Sequence, residues 1–318
     1  MLTCCNRVET NAVYLIPERC ITTLELREKP RYYDAFSVRL VMAIGWYPGH
    51  MHKATKELTR LMASVQVVIE VLDSRLPAAS SNPVLTSLRG EIPCIKVLTK
   101  ADLAIGTVTR RWQHYFNAQP GMRCLISSSE LPLTTEALLP AAEALTAGEQ
   151  GGSARNKQLV IVGIPNVGKS TLLNLLAQRK LAKTGNEPAI TKKQQRIKLA
   201  EGWHLIDTPG LLWPKLEDQV AAAKLACTGT IRNTAIATED VGWMAAELLI
   251  AEYRAALVKR YGISESVQTA EQLLETIAAT RGAMGSGGSI NWHKAAEVLL
   301  NDFRSGKLGK FSLETPPV

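Results

Sequence analysis

The residues with the clearest chemical potential form a glycine-rich loop in the middle of the chain. Residues 163–171 read Gly-Ile-Pro-Asn-Val-Gly-Lys-Ser-Thr, with two glycines five positions apart before Lys-Ser. The apolar run 158–162 predicts a buried strand, and the leucine-rich stretch 170–179 predicts a helix. Backbone N–H groups of a loop between a strand and a helix can surround a phosphate. The pattern and its flanks therefore predict a phosphate-binding loop (the P-loop) and argue against an accidental glycine turn.

The side chains of the P-loop have separate expected roles. We expect Lys169 to reach the outer phosphates of a nucleotide and the Ser170 hydroxyl to hold Mg²⁺. The remaining predicted nucleotide contacts of the loop are Asn166, Val167, Gly168 and Thr171.

Further Mg²⁺ ligands are predicted downstream. Asp207 ends the predicted strand 203–206, about 40 residues after the P-loop, where a Walker-B aspartate binds Mg²⁺. Gly210 follows three positions later, and its backbone N–H can approach the γ-phosphate of the nucleotide. Thr191 lies in a loop within the basic run 179–198 and is the third predicted Mg²⁺ ligand. Such a charge run is usually a solvated face, and nucleic-acid contact is the alternative.

Thr99-Lys100-Ala101-Asp102 resembles the Asn-Lys-x-Asp motif with which GTPases recognise guanine. The aspartate accepts hydrogen bonds from the ring N–H and the exocyclic amine of guanine, a pair that adenine cannot supply. The lysine stem lies over the base, and Ser127-Ser128 resembles the loop that approaches the guanine carbonyl. Thr99 departs from the usual Asn, and its hydroxyl can pin the loop without reproducing the paired donor and acceptor of an amide. The predicted ligands are therefore GTP and GDP.

The order of these motifs differs from that of most GTPases, in which the P-loop comes first and the guanine motif last. Here residues 99–102 and 127–129 precede residues 163–171 and 207–210. The same sheet can form if the chain is circularly permuted, with the linker-like run 147–157 joining the original ends. The predicted fold class is α/β, a circularly permuted P-loop GTPase domain followed by a small all-α domain.

Hydrophobic periodicity supplies the elements that must position these motifs. Predicted strands span 65–72, 92–98, 123–126, 158–162 and 203–206, and predicted helices among them span 53–62, 107–116, 133–145 and 170–179. From residue 215 only helical patterns occur, at 216–226, 239–261, 270–281 and 291–303.

We predict a GTPase domain at residues 42–214 and a helical domain that binds RNA and the ribosome at residues 215–318. Residues 1–41 carry no motif and no sustained hydrophobic period, whereas interpretable motifs and patterns begin at Met42. We expect residues 1–41 to be an N-terminal extension that is disordered or that is absent from the natural protein, as an upstream extension of the gene model.

Composition narrows the class of protein. The 318 residues include 37 basic and 29 acidic side chains, a net charge of +8 that permits an RNA partner without proving one. No window approaches the roughly 18 consecutive apolar residues of a membrane span. The six cysteines form no Cys-x-x-Cys zinc pattern, and Cys94 and Cys124 lie in apolar runs where reduced core thiols are expected. We therefore expect a cytoplasmic protein.

From Met42 to about Glu314 the chain resembles the circularly permuted ribosome-assembly GTPases of the YlqF type, also known as ribosome biogenesis GTPase A. The resemblance rests on the permuted motifs and on three further stretches, residues 45–51, residues 73–77 with Asn82-Pro83, and residues 302–310. It implies a GTP hydrolase, and because Leu211 cannot polarise water we expect a low intrinsic rate that the ribosomal subunit stimulates. It further implies that the protein binds a late precursor of the large ribosomal subunit and its rRNA, and that hydrolysis is coupled to maturation of the precursor and to release. Asn166 resembles an asparagine that holds K⁺ in related GTPases.

His50 and the pair Asp73–Arg75 each have two interpretations. Many GTPases carry a water-orienting glutamine after the Asp-Thr-Pro-Gly motif, and this chain has Leu211 there. The resemblance implies His50 as the catalytic residue, whereas the sequence alone favours a hydrogen-bonded loop histidine. The pair Asp73 and Arg75 either belongs to the site or only ties down its loop, since both lie at the carboxyl end of a predicted buried strand.

Three functions stay open on the sequence. The first is a GTPase switch that gates ribosome assembly, and the second is an RNA-docking module that binds GTP but barely hydrolyses it. The third is a permuted GTPase that acts on the small subunit, but such proteins tend to carry a zinc site and an RNA-binding barrel, and neither signature occurs in this sequence. A GTPase assay with ribosomal subunits discriminates the first two.

Overall fold

The computed structural model describes residues 49–147, 157–178, 195–208, 218–230 and 236–317. The P-loop, the guanine motif at 99–102 and Asp207 lie within these ranges. Residues 1–41, Thr191, Gly210, Leu211 and most of the predicted linker 147–157 lie outside them. The predicted domain boundary at 214/215 also falls outside the described residues.

The described residues contain a six-stranded sheet in the order β3-β2-β1-β4-β6-β5. Its strands are β1 Val67–Asp73, β2 Cys94–Thr99, β3 Met122–Ile126, β4 Lys157–Val162, β5 Gln195–Lys198 and β6 Trp203–Asp207. All neighbouring strands are parallel except β5, which runs antiparallel to β6. The carboxyl ends of β1, β2, β4 and β6 therefore meet at one edge, where open α/β sheets place their ligands.

The central strands are apolar because the sheet is covered on both faces. All seven residues of β1 are buried, and so are all six residues of β2. One hydrophobic cluster packs Leu58, Met62 and Leu85 against β1, β2 and β4. A second cluster packs Trp112 and Phe116 against β1, β2 and β3.

Six helices accompany the sheet in the described residues. They are α1 Gly49–Met62, α2 Pro77–Ser80, α3 Pro83–Arg89, α4 Gly106–Asn117, α5 Thr135–Thr146 and α6 Lys169–Leu176. The pattern predicted α4, α5 and α6, but it started α1 four positions too late and left α2 and α3 as loop. The Asn82 side chain accepts from the Val84 N–H at 2.9 Å, and Pro83 occupies the first turn, so Asn-Pro is the start signal of α3.

The edge strand β5 was missed by the sequence analysis, which saw only a basic run. Arg196 and Lys198 are exposed and flank the buried Ile197. Since a strand of four residues with one buried apolar side chain has almost no hydrophobic period, pairing with β6 decides its conformation.

Five helices follow the sheet in the described residues. They are α7 Gln219–Cys227, α8 Thr238–Glu252, α9 Arg254–Tyr261, α10 Ala270–Arg281 and α11 Trp292–Arg304. The single predicted helix 239–261 is wrong, because Tyr253 interrupts it with a ψ of 33° at a φ of −134°. The Tyr253 hydroxyl donates to the Ser312 carbonyl at 2.6 Å, so a distant segment stabilises the break. None of the helices in the described ranges has the length and hydropathy needed to cross a membrane.

Candidate functional site

The P-loop connects β4 to α6 and depends on residues with positive φ. Gly163 has a φ of 148°, and a Cβ there would lie 2.7 Å from the Val71 carbonyl oxygen of the neighbouring strand. Gly168 has a φ of 103°, and a Cβ there would lie 3.4 Å from the Thr99 Oγ1. Asn166 also has a positive φ, of 57°, which asparagine tolerates better than most residues. Glycine is thus required where the loop crosses its neighbours, and the backbone is shaped to bind an anion.

Lys169 extends into the P-loop. Its ammonium donates to the Gly163 carbonyl at 2.9 Å and to the Ile164 carbonyl at 2.7 Å. An ammonium has three donors, so one stays available for a phosphate oxygen. Burial lowers the pKa of Lys169 to about 8, although the nearby Asp207 carboxylate opposes that shift. A bound phosphate would add negative charge and raise this pKa again.

Ser170 and Asp207 present hard oxygen ligands on neighbouring elements. Ser170 lies in the first turn of α6 and is half-buried, whereas Asp207 is buried at the end of β6, which pairs with β4. Mg²⁺ is commonly held by one or two protein oxygens together with phosphates and waters, and this pair suits it. In the described ranges no three His, Cys, Asp or Glu residues cluster to form an all-protein metal site. The residues therefore fit a cation held jointly with a nucleotide.

Thr99 and Lys100 join the guanine motif directly to the P-loop. The Thr99 hydroxyl lies 2.9 Å from the Leu72 carbonyl oxygen and 2.5 Å from that of Val167, and its single proton serves either. The Lys100 ammonium donates to the Asn166 carbonyl at 2.8 Å. Lys100 adopts the left-handed conformation, with a φ of 55°, which turns the chain sharply after β2. The hydroxyl thus ties two loops together where the usual motif has an amide.

Asp73 forms an ion-pair cluster behind the guanine motif. Its carboxylate accepts from Arg75 Nε at 2.9 Å and Nη2 at 2.7 Å, and from Lys100 Nζ at 2.9 Å. Although burial alone would raise the pKa of Asp73, the charges of Arg75 and Lys100 hold it well below its usual range. The pair therefore orders its loop and also binds Lys100 of the guanine motif.

Asp102 lies in a short 3₁₀ turn, Ala101–Leu103, and is held by a residue that sequence reasoning did not select. The Ser129 hydroxyl donates to Asp102 Oδ2 at 2.9 Å, and the Ser129 N–H donates to Oδ1 at 3.3 Å. The sequence did offer one signal for Ser129, because residues 127–129 are three consecutive serines. Ser127 is buried and accepts from the Leu133 N–H through its hydroxyl, and Ser128 accepts from the Leu131 N–H. These serines shape the loop beside Asp102.

The turn after α7 contacts the same site from the helical part of the chain. The Asn166 amide donates to the Gly229 carbonyl at 3.1 Å, and Arg75 Nη2 lies 3.4 Å from the Thr228 carbonyl oxygen. Arg304 donates from Nε to the Cys227 carbonyl at 3.0 Å and from Nη2 to that of Ala226 at 2.9 Å. Arg304 therefore holds this turn.

Three residues singled out in the sequence, Thr191, Gly210 and Leu211, lie outside the described residues. The His50 backbone lies in the first turn of α1, while its side chain is not described. The structure brings together Thr99, Lys100, Asp102 and Ser127–Ser129 with the P-loop and Asp207.

A strand–P-loop–helix unit whose guanine-type motif lies on an earlier strand defines the class of protein. It is a P-loop GTPase with a circularly permuted motif order, and members of this class depend on Mg²⁺. A family described as "50S ribosome-binding GTPase" matches residues 158–274.

Similar proteins specify the family. Ribosome biogenesis GTPase A of Bacillus cereus is 38% identical over 281 residues, covering 86% of this chain and 95% of the relative. The GDP-bound structure of TM YlqF is 26% identical with a TM-score of 0.58, covering 82% of this chain and 99% of that one. GNP-bound YlqF from T. maritima gives the same identity and TM-score, with coverages of 83% and 98%. The chain belongs to the ribosome biogenesis GTPase A family and is a GTP hydrolase of ribosome biogenesis.

Proposed function

We propose that this GTPase binds a late precursor of the large ribosomal subunit and couples GTP hydrolysis to maturation of the precursor and to its own release. The names of its relatives support a role in ribosome biogenesis, and the matched family description mentions the 50S particle. Such coupling requires that the state of the nucleotide reaches the surface that binds the particle.

The hydrogen bonds between the P-loop and the helical part are the observation that carries this proposal. Asn166 of the P-loop bonds the Gly229 carbonyl, and Arg304 of α11 holds the same turn at Cys227. A nucleotide that shifts the P-loop therefore acts on the turn after α7, and through Arg304 on α11. Because α11 precedes the exposed basic residues Lys307 and Lys310, we assign rRNA contact to this end of the proposed helical domain, residues 215–318.

Each loop of the site has a proposed role. Asp102 reads the guanine base, with Lys100 alongside it and Ser127 and Ser128 at its carbonyl. The P-loop and Lys169 bind the phosphates, with the Gly210 N–H at the γ-phosphate. The proposed Mg²⁺ ligands are Ser170, Thr191 and Asp207. Mg²⁺ held by these residues would supply positive charge against the phosphates.

Two further groups are proposed for hydrolysis. The Asn166 amide donates through Nδ2 to Gly229, which turns Oδ1 away from that carbonyl and presents it as a ligand for K⁺. Leu211 cannot polarise water, so we assign the orientation of the attacking water to His50 when the particle is bound. The intrinsic rate is therefore low and the ribosomal particle stimulates it.

The proposed setting is the cytoplasm. Cys94, Cys124 and Cys227 are free and buried. Burial raises the pKa of the Cys94 thiol to about 11, which keeps it protonated and unreactive. Free thiols of this kind suit a reducing compartment, where glutathione and thioredoxin keep cysteines reduced.

The proposed function is tested with purified large and small subunits from a strain depleted of the protein. Sedimentation should show the protein on immature large subunits with a non-hydrolysable GTP analogue and free of them with GDP. The same subunits should accelerate GTP hydrolysis. Binding without acceleration would favour an RNA-docking module, and binding to small subunits would favour the other branch of permuted GTPases.

A further inference from the structure

The chain returns to the guanine motif near its end. Residues 311–314, the C-terminal clamp, lie beside the loop that follows Asp102. The Phe311 N–H donates to the Leu103 carbonyl at 2.9 Å, and the Ser312 hydroxyl accepts from the Ile105 N–H at 3.1 Å. Leu103 is the last residue of the turn that carries Asp102. The clamp therefore bonds the chain within one to three residues of the predicted base-reading carboxylate.

The clamp also supports the ion-pair cluster behind Lys100. The Leu313 N–H donates to the Arg75 carbonyl at 2.7 Å, and Arg75 in turn holds the Asp73 carboxylate. The Glu314 carboxylate accepts from the Ala78 N–H at 2.8 Å and from the Ala79 N–H at 3.2 Å. These bonds fix the segment that follows β1, so the clamp contacts both the loop that carries Asp102 and the segment whose Asp73 binds Lys100.

The opposite side of the clamp is anchored in the helical part. The Phe311 ring is 1% exposed and lies 4.7 Å from the Tyr253 ring and 5.0 Å from the Phe303 ring. The Tyr253 hydroxyl donates to the Ser312 carbonyl at 2.6 Å. Lys224 of α7 donates to the Leu313 carbonyl at 2.7 Å. The four residues of the clamp therefore contact helices on one side and the loops of the predicted guanine site on the other.

We propose that the C-terminal clamp is a positioning element for guanine recognition. Asp102 is half-buried, and the bonds described for its side chain go to Ser129, which belongs to another loop. The turn has its own bond from the Leu103 N–H to the Lys100 carbonyl, and the clamp adds bonds from outside at Leu103 and Ile105. A loop ordered in advance loses less conformational entropy when the base binds, so the clamp raises guanine affinity. This inference rests on the proposed guanine-reading role of Asp102.

The test compares GDP with IDP, which lacks the exocyclic amine that Asp102 accepts from. In the full chain, Phe311→Ala removes the anchor of the clamp, and Tyr253→Phe removes only the hydroxyl that holds Ser312. Because a misplaced carboxylate loses a charge-assisted hydrogen bond to the amine, Phe311→Ala should lower the GDP-to-IDP affinity ratio by about tenfold. Tyr253→Phe should lower the ratio less, and it carries the test if Phe311→Ala does not fold.

Ile277→Ala is the matched control, since it truncates a buried residue of α10 away from the clamp contacts described above. It should lower the melting temperature and leave the GDP-to-IDP ratio unchanged. If both clamp variants also leave the ratio unchanged, the clamp only stabilises the fold and the proposal is wrong.

A further variant separates this outcome from a failure of the guanine assignment. Asp102→Asn replaces one acceptor with a donor and should shift preference from GDP to XDP. With that shift observed, an unchanged ratio in the clamp variants overturns only the clamp. Without it, Asp102 does not read the base, and the clamp proposal falls together with the assignment.

Discussion

At the scale of single residues, the buried ammonium of Lys169 links nucleotide binding to pH. Its pKa is lowered to about 8 by burial, and a bound phosphate favours the charged form. Nucleotide binding above pH 8 must therefore take up a proton, and GDP affinity should fall by about tenfold per pH unit there. Titration calorimetry in two buffers of different ionisation enthalpy measures the uptake directly. Lys169→Arg stays charged, so a pH dependence that persists in this variant would come from guanine or another group.

His50 is tested through the rate of hydrolysis on the ribosomal particle. We expect His50→Ala to keep GTP affinity and subunit binding while lowering subunit-stimulated turnover by about 10²–10⁴-fold, the usual range for a water-orienting group. His52→Ala, two positions on in α1, is the matched control and should hydrolyse at the wild-type rate. An unchanged rate in His50→Ala would mean that RNA or another side chain orients the attacking water.

Asn166 is tested by exchanging the monovalent salt. If its amide oxygen holds K⁺, hydrolysis should be faster in K⁺ than in Na⁺ at equal ionic strength, and Asn166→Ala should abolish the difference. Equal rates in the two salts for the wild-type protein would leave Asn166 as a loop residue whose bond to the Gly229 carbonyl is structural.

At the scale of elements, a buried ion pair joins β1 to β2. Glu70 and Lys96 are register partners and are 2% and 4% exposed, with Oε2 and Nζ at 2.5 Å. Ser81 and Asn82 also donate to the Glu70 carboxylate, at 3.0 and 3.3 Å. The pair therefore connects two core strands to the start of α3.

Replacing one partner of this pair should lower the free energy of unfolding far more than replacing both partners with uncharged residues. Lys96→Met leaves a buried carboxylate without its counter-ion, and we expect the free energy of unfolding to fall by about 3–5 kcal/mol. Adding Glu70→Gln removes the uncompensated charge but keeps an acceptor for Ser81 and Asn82, so it should restore most of that loss. Urea unfolding of the two single variants and the double variant measures this, and strictly additive losses would show that the two charges do not interact.

Prediction from the sequence succeeded where the conformation of a segment is set by its own residues, through a local motif or a hydrophobic period. The P-loop, its strand and the alternation of strands and helices gave the fold class, and the Gly-rich pattern located Lys169 and Ser170. It failed where a distant segment decides the outcome. The break at Tyr253 depends on Ser312, β5 depends on β6, and the contact of Ser129 with Asp102 depends on how two loops approach. No local period carries such information.

At the scale of the whole molecule, the described fold is built by residues from Gly49 onward. We expect removal of residues 1–41 to leave the melting temperature and GDP affinity unchanged, since they carry no motif or core pattern. A deletion through residue 62 is the contrasting control, because it removes Leu58 and Met62 from the core and should destabilise the protein. Thermal unfolding and GDP titration measure both. A fall of more than a few degrees on the shorter deletion would mean that residues 1–41 contain a structural element.

The clamp has a consequence for synthesis of the protein. Domains begin to fold from the N-terminal side while the chain is still being made. The strands, the P-loop and the guanine motif all precede residues 311–314, so they leave the ribosome before the segment that braces Leu103 and Arg75. The proposed role of the clamp therefore predicts that a nascent chain with an assembled sheet binds guanine nucleotide weakly. Tight binding should begin only after the helical part has been translated, and a truncated product should compete poorly for the nucleotide.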